Sequence, residues 1–510
     1  MSEHAPRRRR ARRAKPTLEQ LPWQSLQNNY PKTELLNATS LDAIHEASLR
    51  ILEETGVAVL SDQAAELYRA AGATPCHDGK RWSLPRKLIL EAIASAPSEF
   101  TLHARNPEHN LQMGANHLNF CSVASAPNAS DMDNGRRTGN QTDFRNLVRL
   151  SQFFNVVHLT GGYPVEPTDI HPSVRHLECL RDLATLTDKI FHCYSLGRQR
   201  NLDAIEIARL ARGISHEQLL EEPSLYTIIN VNSPLTLDTP MLEGLIAMAE
   251  HKQVVVVTPF TLAGAMAPVS IAGALAQQNA EALAGIALTQ LVNPGAPVMY
   301  GGFTSNVDMR SGAPAFGTPE YMKAAQISGQ LARRYGLPFR SSNVNAANTV
   351  DAQAAYESVF ALWGAVGGGC NMLMHGAGWL EGGLCASFEK FVLDCDLLQM
   401  VAKYLEPLEV NDAELALDAI ADVGPGGHFF GTQHTQDRFE NAFYAPMISD
   451  WRNHESWAES GAPDAMSKAN RVWKRALKAY EEPAMPSEHR AALDAFVDAR
   501  ISEGGVKTDF

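Results

Sequence analysis

The chain has 510 residues, 45% of them hydrophobic and 20% charged, with a formal net charge of −13. That length exceeds a single ordinary core and predicts one large domain with additions, or two domains, of a soluble globular protein. No apolar run reaches the roughly 18–20 residues of a membrane span, so no membrane partner is expected. Seven cysteines without framework spacing predict reduced thiols and a cytoplasmic location.

In chain order, the first feature is the basic run RRRRARRAK at positions 7–15. Residues 1–15 hold seven of the 44 basic residues and one of the 57 acidic ones, leaving 37 against 56 in the remainder. So acidic a body repels phosphate backbones. The run therefore reads as a disordered solubilising tail over residues 1–16, and no nucleic-acid partner is expected. No apolar stretch follows it, as a secretory signal would require. An amphipathic helix over 41–56 closed by glycine, helices near 62–71 and 85–96, and the β-prone EFTLHAR make residues 17–115 an N-terminal helical and mixed cap.

Eight short β-prone runs follow: HLNFCSV (117–123), VVHLTGG (156–162), KIFHCYS (189–195), YTIINVN (226–232), QVVVVTP (253–259), PVMYGGF (297–303), PFRSSNV (338–344) and NMLMHGA (371–377). Segments of helical period separate them, as parallel βαβ units require. With no mononucleotide fingerprint after the first strand, the fold class predicted is α/β, a (β/α)8 TIM barrel over residues 116–405. Residues 406–510 read as a C-terminal helical extension packing on the barrel.

Active sites of such barrels lie at the carboxyl ends of the strands. There the sequence places Asn230 and Asn232, Thr258 and Phe260, Phe303, Ser341 to Asn345, and the stretch NMLMHGAGWLEGGL with His375, Trp379 and Glu381. An asparagine in such a loop is commonly a turn former, His375 alone reads as a satisfied core histidine, and Trp379 as loop packing. Glu381 stands apart, because a carboxylate between glycines has no helical face to solvate it. Nucleotide, serine-elbow, CxxC and HExxH signatures are absent. His192 and Cys193 point to opposite faces of a strand, and the spacing of His428 and His434 matches no common zinc pair, so a zinc site is the weaker alternative. Aromatic rings beside one carboxylate suit a quaternary ammonium, with each ring contributing roughly 0.5–2 kcal/mol.

Longer strings carry a resemblance. LHARNPEHNLQMG (102–114), NSPLTLDTPMLEGL (232–245), TPFTLAGAMAPVSIAGALAQQNAEALAGI (258–286), MYGGFTSNVDMRSGAPAFGTPEY (299–321), HGAGWLEGGL (375–384) and GGHFFGTQHT (426–435) resemble the trimethylamine methyltransferase family of corrinoid-dependent enzymes. The resemblance implies a methylated-amine substrate and a methyl acceptor, the Co(I) corrinoid (cobalamin) of a separate corrinoid protein, with no cofactor bound tightly by this chain. Founding archaeal members carry pyrrolysine near a late strand end; the corresponding neighbourhood here, around SSNVNAANTVDAQAAYE, holds Asn and Ser. A nonpyrrolysine member is expected to act on a quaternary amine such as glycine betaine, proline betaine or carnitine, since such a donor leaves as a neutral amine and needs orientation rather than an acid. Trimethylamine, a sulfonium donor, a zinc-dependent barrel methyltransferase and an inactive binding protein are the competing readings. The resemblance and the strand-end positions together nominate Glu381 and His375 as catalytic. Asn343, Asn345, Asn232, Tyr163, Phe260, Phe303 and Trp379 are nominated for substrate binding. Large exposed helical faces make a homo-oligomer the default.

Overall fold

The computed structural model describes residues 18–77 and 79–508; the basic run at 7–15 lies outside the described residues. Seven parallel barrel strands are regular: β1 (His117–Ser122), β3 (Phe191–His192), β4 (Leu225–Ile229), β5 (Val254–Val257), β6 (Val298–Gly301), β7 (Phe339–Ser342) and β8 (Met372–Ala377). The β2 position is reduced to Leu159, which bridges Cys121 on one side and Ile190 on the other, both in parallel. Met372 and Leu373 of β8 pair with Asn119 and Phe120 of β1, so the cylinder closes.

A helix follows every strand: α1 (Gln141–Phe153), α2 (Pro172–Leu186), α3 (Arg198–Arg212), α4 (Thr239–Glu250), α5 (Ile271–Val292), α6 (Pro319–Arg334), α7 (Ala352–Gly368) and α8 (Phe388–Tyr404). Their starts are written locally. Asn140, Asp238, Thr318, Asp351 and Ser387 each accept a backbone N–H of the first turn, and proline at the first positions of α4 and α6 fixes φ where no N–H is needed. Gly213 and Gly369 end α3 and α7 in the left-handed region.

The barrel interior is apolar in its lower half. Cys121, Leu159, Ile190, Tyr226, Val254, Val256, Met299, Met372 and Met374 form one cluster. The hairpin Phe100–Leu102/Leu111–Met113 plugs it, inserting Leu102, Leu111 and Met113 at the amino ends of the strands. The N-terminal region thus closes the floor, while its helices Ala38–Arg50 and Arg86–Ala94 lie on α5.

The C-terminal extension divides into two parts. From Met447 onward it is attached: Met447 and Ile448 N–H donate to Asp396, the helix Ala465–Ala479 packs on α8 and α1, and the helix Ser487–Ser502 packs on α2 and α3. Residues 406–447 contain no buried residue, although they carry Leu408, Leu417, Phe430, Phe439 and Phe443. No helix among the described residues is long and apolar enough to cross a membrane.

Candidate active site at the barrel mouth

Two small sheets wall the carboxyl end of the barrel. In the first, Phe260–Ala263 continues beyond β5 and pairs in parallel with Phe303–Val307 beyond β6, in a register that sets Phe260 opposite Phe303. Their ring centroids are 5.0 Å apart. In the second, Trp379–Leu380 pairs with Cys385–Ser387, which joins the hairpin Asn128–Asp131/Gly135–Thr138.

Between them lies a cavity of about 240 Å³, lined at the bottom by His192, Ile228, Arg340 and Met374 and above by Tyr194, Phe260, Phe303, His375 and Trp379. His375 lies within β8 with φ of 55°, where the register of β8 against β1 breaks. A histidine in that region costs local strain, which the surrounding bonds hold in place. Gly378 N–H donates to Asp394 at 2.9 Å, Glu381 N–H to the Ala347 carbonyl and Gly382 N–H to the Asn345 carbonyl. Asp394 is itself buried in an ion pair with Lys390, whose ammonium also donates to Ser358. The imidazole of His375 sits 4.1 Å from the Trp379 ring, centroid to centroid.

The electrostatics of the floor are set by Arg340, which points inward from β7 and is only 3% exposed. Its Nε and Nη1 are buried with no hydrogen-bond acceptor, and its guanidinium carbon lies 5.3 Å from the Phe303 ring centre. Burial pushes its pKa down to about 10, so it remains charged at neutral pH. His192 is the second donor. Its Nε2 accepts Ile228 N–H at 3.1 Å, which leaves the ring proton on Nδ1, an atom without an acceptor. Burial, and then the Arg340 charge, pushes His192 down to about 3. The same two causes, with His192 after them, hold His375 well below its ordinary value, so both imidazoles are neutral. A buried charge and a buried N–H aimed at one cavity are costly unless an anion completes them.

Of the residues singled out in the sequence, Asn230, Thr258, Phe260, Phe303, His375 and Trp379 line this cavity. Asn343 and Asn345 are buried behind it, their amides donating to the Gly376 carbonyl and Ser358 Oγ. Glu381 is outside the lining; both its carboxylate oxygens take the Arg136 Nε–H, at 3.0 Å each. Asn232 is exposed and bonded to Asp238, and Tyr163 lines a neighbouring chamber. Arg340 and His192 were not nominated. An arginine inside PFRSSNV, a run otherwise able to be buried on both faces, was the available signal, because a charge in a parallel strand has no solvated side to turn to. Among the described residues no three His, Cys, Asp or Glu side chains converge as metal ligands would.

A closed parallel barrel with a ring-lined, cation-floored mouth defines a small-molecule enzyme of the TIM-barrel class. The sequence profile of the trimethylamine methyltransferase family, MTTB, matches residues 3–505, and the chain belongs to that family and is a methyltransferase. It is 38% identical to the glycine betaine methyltransferase of Desulfitobacterium hafniense strain Y51, over 93% of this chain and 98% of that protein. It is 28% identical to the trimethylamine methyltransferase MttB of D. hafniense strain DCB-2, over 91% and 94%. Superposition on the monomethylamine methyltransferase MtmB of Methanosarcina barkeri gives a TM-score of 0.48 with 11% identity, over 90% of this chain and 97% of that one.

Proposed function

We propose that the chain removes one methyl group from a carboxylated quaternary amine of the glycine betaine type and passes it to a corrinoid protein docked over the mouth. The observation that carries this reading is Arg340. A guanidinium with two buried, unanswered N–H groups suits a carboxylate, which would accept them in the strong charge-assisted geometry. The His192 Nδ1–H would be a further donor to the same group. One molecule then satisfies both halves of the cavity, with its carboxylate on the floor and its trimethylammonium among Phe260, Phe303, His375 and Trp379. Trimethylamine fits less well, since its ammonium form would bring a cation to an uncompensated cation and leave Arg340 unanswered. The 38% identity to a glycine betaine methyltransferase supports the same choice.

The corrinoid would belong to the partner and would supply a reduced, nucleophilic cobalt as methyl acceptor. The βα loops fit a broad docking surface, leaving Met132, Leu196, Val269, Met309 and Leu384 exposed on the carboxyl face. This chain's share of the reaction is orientation. Arg340 fixes the carboxylate, the rings hold the ammonium with one methyl directed outward, and water is kept from the leaving nitrogen. The C–N bond breaks with its electron pair remaining on nitrogen, so no acid is required, which agrees with two neutral imidazoles.

A thermal-shift series tests this. Glycine betaine, proline betaine and carnitine at about 100 times their Kd should add about 2.7 kcal/mol of stability, whereas choline, which has the ammonium without the carboxylate, and trimethylamine should add little. Choline matching the betaines would remove Arg340 from the argument. Methyl transfer from the ligand that binds to a reduced corrinoid protein then completes the assignment.

A further inference from the structure

Past its first turn, α7 turns no charged side chain outward. Its exposed residues there are Tyr356, Phe360 and Trp363, and its one charged residue, Glu357, is buried. The three rings recur at helical spacing on one stripe, the pattern of a helix covered on both sides. On α8 the patch continues through Met400 and Tyr404, and the Tyr404 ring lies 5.1 Å from Trp363 and 5.2 Å from Tyr30, centroid to centroid. Tyr30 follows Leu26–Gln27, which pairs with the first residues of β1, so the patch reaches the amino end of the barrel, away from the mouth. A second apolar surface begins where α8 ends. Residues 406–446 form an arm fixed to α8 at both ends, by chain continuity at Leu405 and by the Met447 and Ile448 N–H bonds to Asp396. Between those ends Leu408, Leu417, Phe430, Phe439 and Phe443 are 66–90% exposed. Helices as short as those of the arm need a surface to hold them.

We propose that a second copy of this chain supplies that surface: two chains pair about a twofold axis, each laying its arm on the α7 and α8 face of the other. Both halves of the contact stand on one chain, and its described residues cover neither, so a twofold arrangement satisfies each of them twice. The area suffices. A fully exposed aromatic side chain offers about 150–250 Å², and at these exposures arm and face together exceed the roughly 800 Å² per partner of a stable interface. Charge sets which surface meets which. Residues 406–446 hold eight acidic residues and one arginine, so two arms repel each other, whereas the rings of the face carry no charge. A corrinoid protein seated over the mouth would leave the patch uncovered. The basic run at 7–15 matches the arm in charge but offers its rings nothing larger than alanine.

Sedimentation velocity of the full chain over a dilution series tests this. The expected species is two copies of 55.6 kDa. As it forms, the amides of 406–446 should gain protection from hydrogen exchange together with protection of Tyr356 and Trp363 from hydroxyl-radical labelling. Two double variants, Tyr356→Glu with Phe360→Glu on the face and Phe430→Ser with Phe443→Ser on the arm, should each weaken association about thirtyfold or more while unfolding stays cooperative. Mixing the two should recover part of the association, because one intact arm then meets one intact face. A monomer at every concentration, a dimer whose arm stays unprotected, or association unchanged by either variant overturns the proposal. So does a closed ring of more than two copies. Arm protection that requires residues 1–15, or an added corrinoid protein, overturns it as well and gives the arm to that occupant. The dilution series on the unmodified protein needs no variant to fold.

Discussion

Two stretches of this chain look alike in sequence and behave oppositely in the fold. HGAGWLEGGL at 375–384 and GPGGHFFGTQH at 424–434 each set histidine among glycines and large aromatics. In the first, His375 and Trp379 are buried, and the backbone of Gly378, Glu381 and Gly382 around them is held by Asp394, Ala347 and Asn345. In the second, Phe430 is 80% exposed and nearby Phe443 is 90% exposed. The difference lies in what each stretch is attached to. The first leaves the end of a barrel strand and is captured by the elements beside it. The second belongs to a run of helices of four to seven residues, shorter than an isolated helix needs for stability in water. Glycine and histidine supply the ability to form a site; the neighbours decide whether one forms.

Breaking the capture of the first stretch should cost most. Asp394→Ala leaves the Lys390 ammonium buried without its partner and should destabilise the protein by about 3–5 kcal/mol, read by denaturant unfolding. It should also loosen His375 and weaken ligand binding. Arg340→Met should cost about 2–5 kcal/mol in betaine binding by calorimetry. Its effect on the ligand-free protein should be the reverse, an unchanged or raised Tm, because it removes a buried charge that nothing answers.

Acid should act next on the barrel itself, through His192 and through His158, whose Nδ1 accepts the Phe120 N–H of β1. His158 and His192 are each held down to about 3 by burial, against an ordinary value of 6.5. The unfolded chain therefore binds protons that the folded one refuses. This contribution to stability is fully present above about pH 6.5 and is lost as pH falls from there toward 3. The slope approaches about 1.4 kcal/mol per pH unit for each histidine. A urea-unfolding series between pH 7.5 and 4.5 should show that decline and, if the imidazoles take no part in proton transfer, no loss of betaine affinity between pH 7.5 and 6.5.

Smaller effects sharpen the contrast. Trp379→Leu keeps an apolar side chain but removes a ring, and should weaken betaine binding by about 0.5–2 kcal/mol while leaving the binding of short carboxylates to Arg340 in place. In the isolated chain, too dilute to pair, Phe430→Ser and Phe443→Ser in the exposed stretch should change unfolding free energy by no more than about 0.5 kcal/mol. Amides of residues 406–446 should there exchange with solvent far faster than those of 375–384. Slow exchange over 406–446 in the isolated chain would contradict the exposure described here.

Much of the barrel was legible beforehand. Runs such as QVVVVTP, and helical segments begun by Asp238-Thr239-Pro240 or Thr318-Pro319, state their conformation through periodicity and capping, which act within a few residues. The mouth was legible in part for the same reason: strand ends are countable, and Phe260, Phe303, His375 and Trp379 stand on them. Asn232, Asn343 and Asn345 stand on them as well, yet the first turns to Asp238 and the others to the wall behind the cavity, since rotamer and neighbour decide direction and periodicity does not. Glu381 found Arg136, 245 residues away on a hairpin whose docking no local pattern announces. VVHLTGG kept its place in the cylinder but contributes only Leu159 as a bridge.

The sequence by itself therefore determined the class of fold and the end of the barrel that carries the candidate site, because those follow from short-range spacing and composition, and the family, because long strings of residues resemble it. Only the tertiary structure decided which charge stands in the cavity. Arg340 reads as one more arginine in a β-prone run until the barrel closes around it, and burial without a partner is what makes it the binding group we propose.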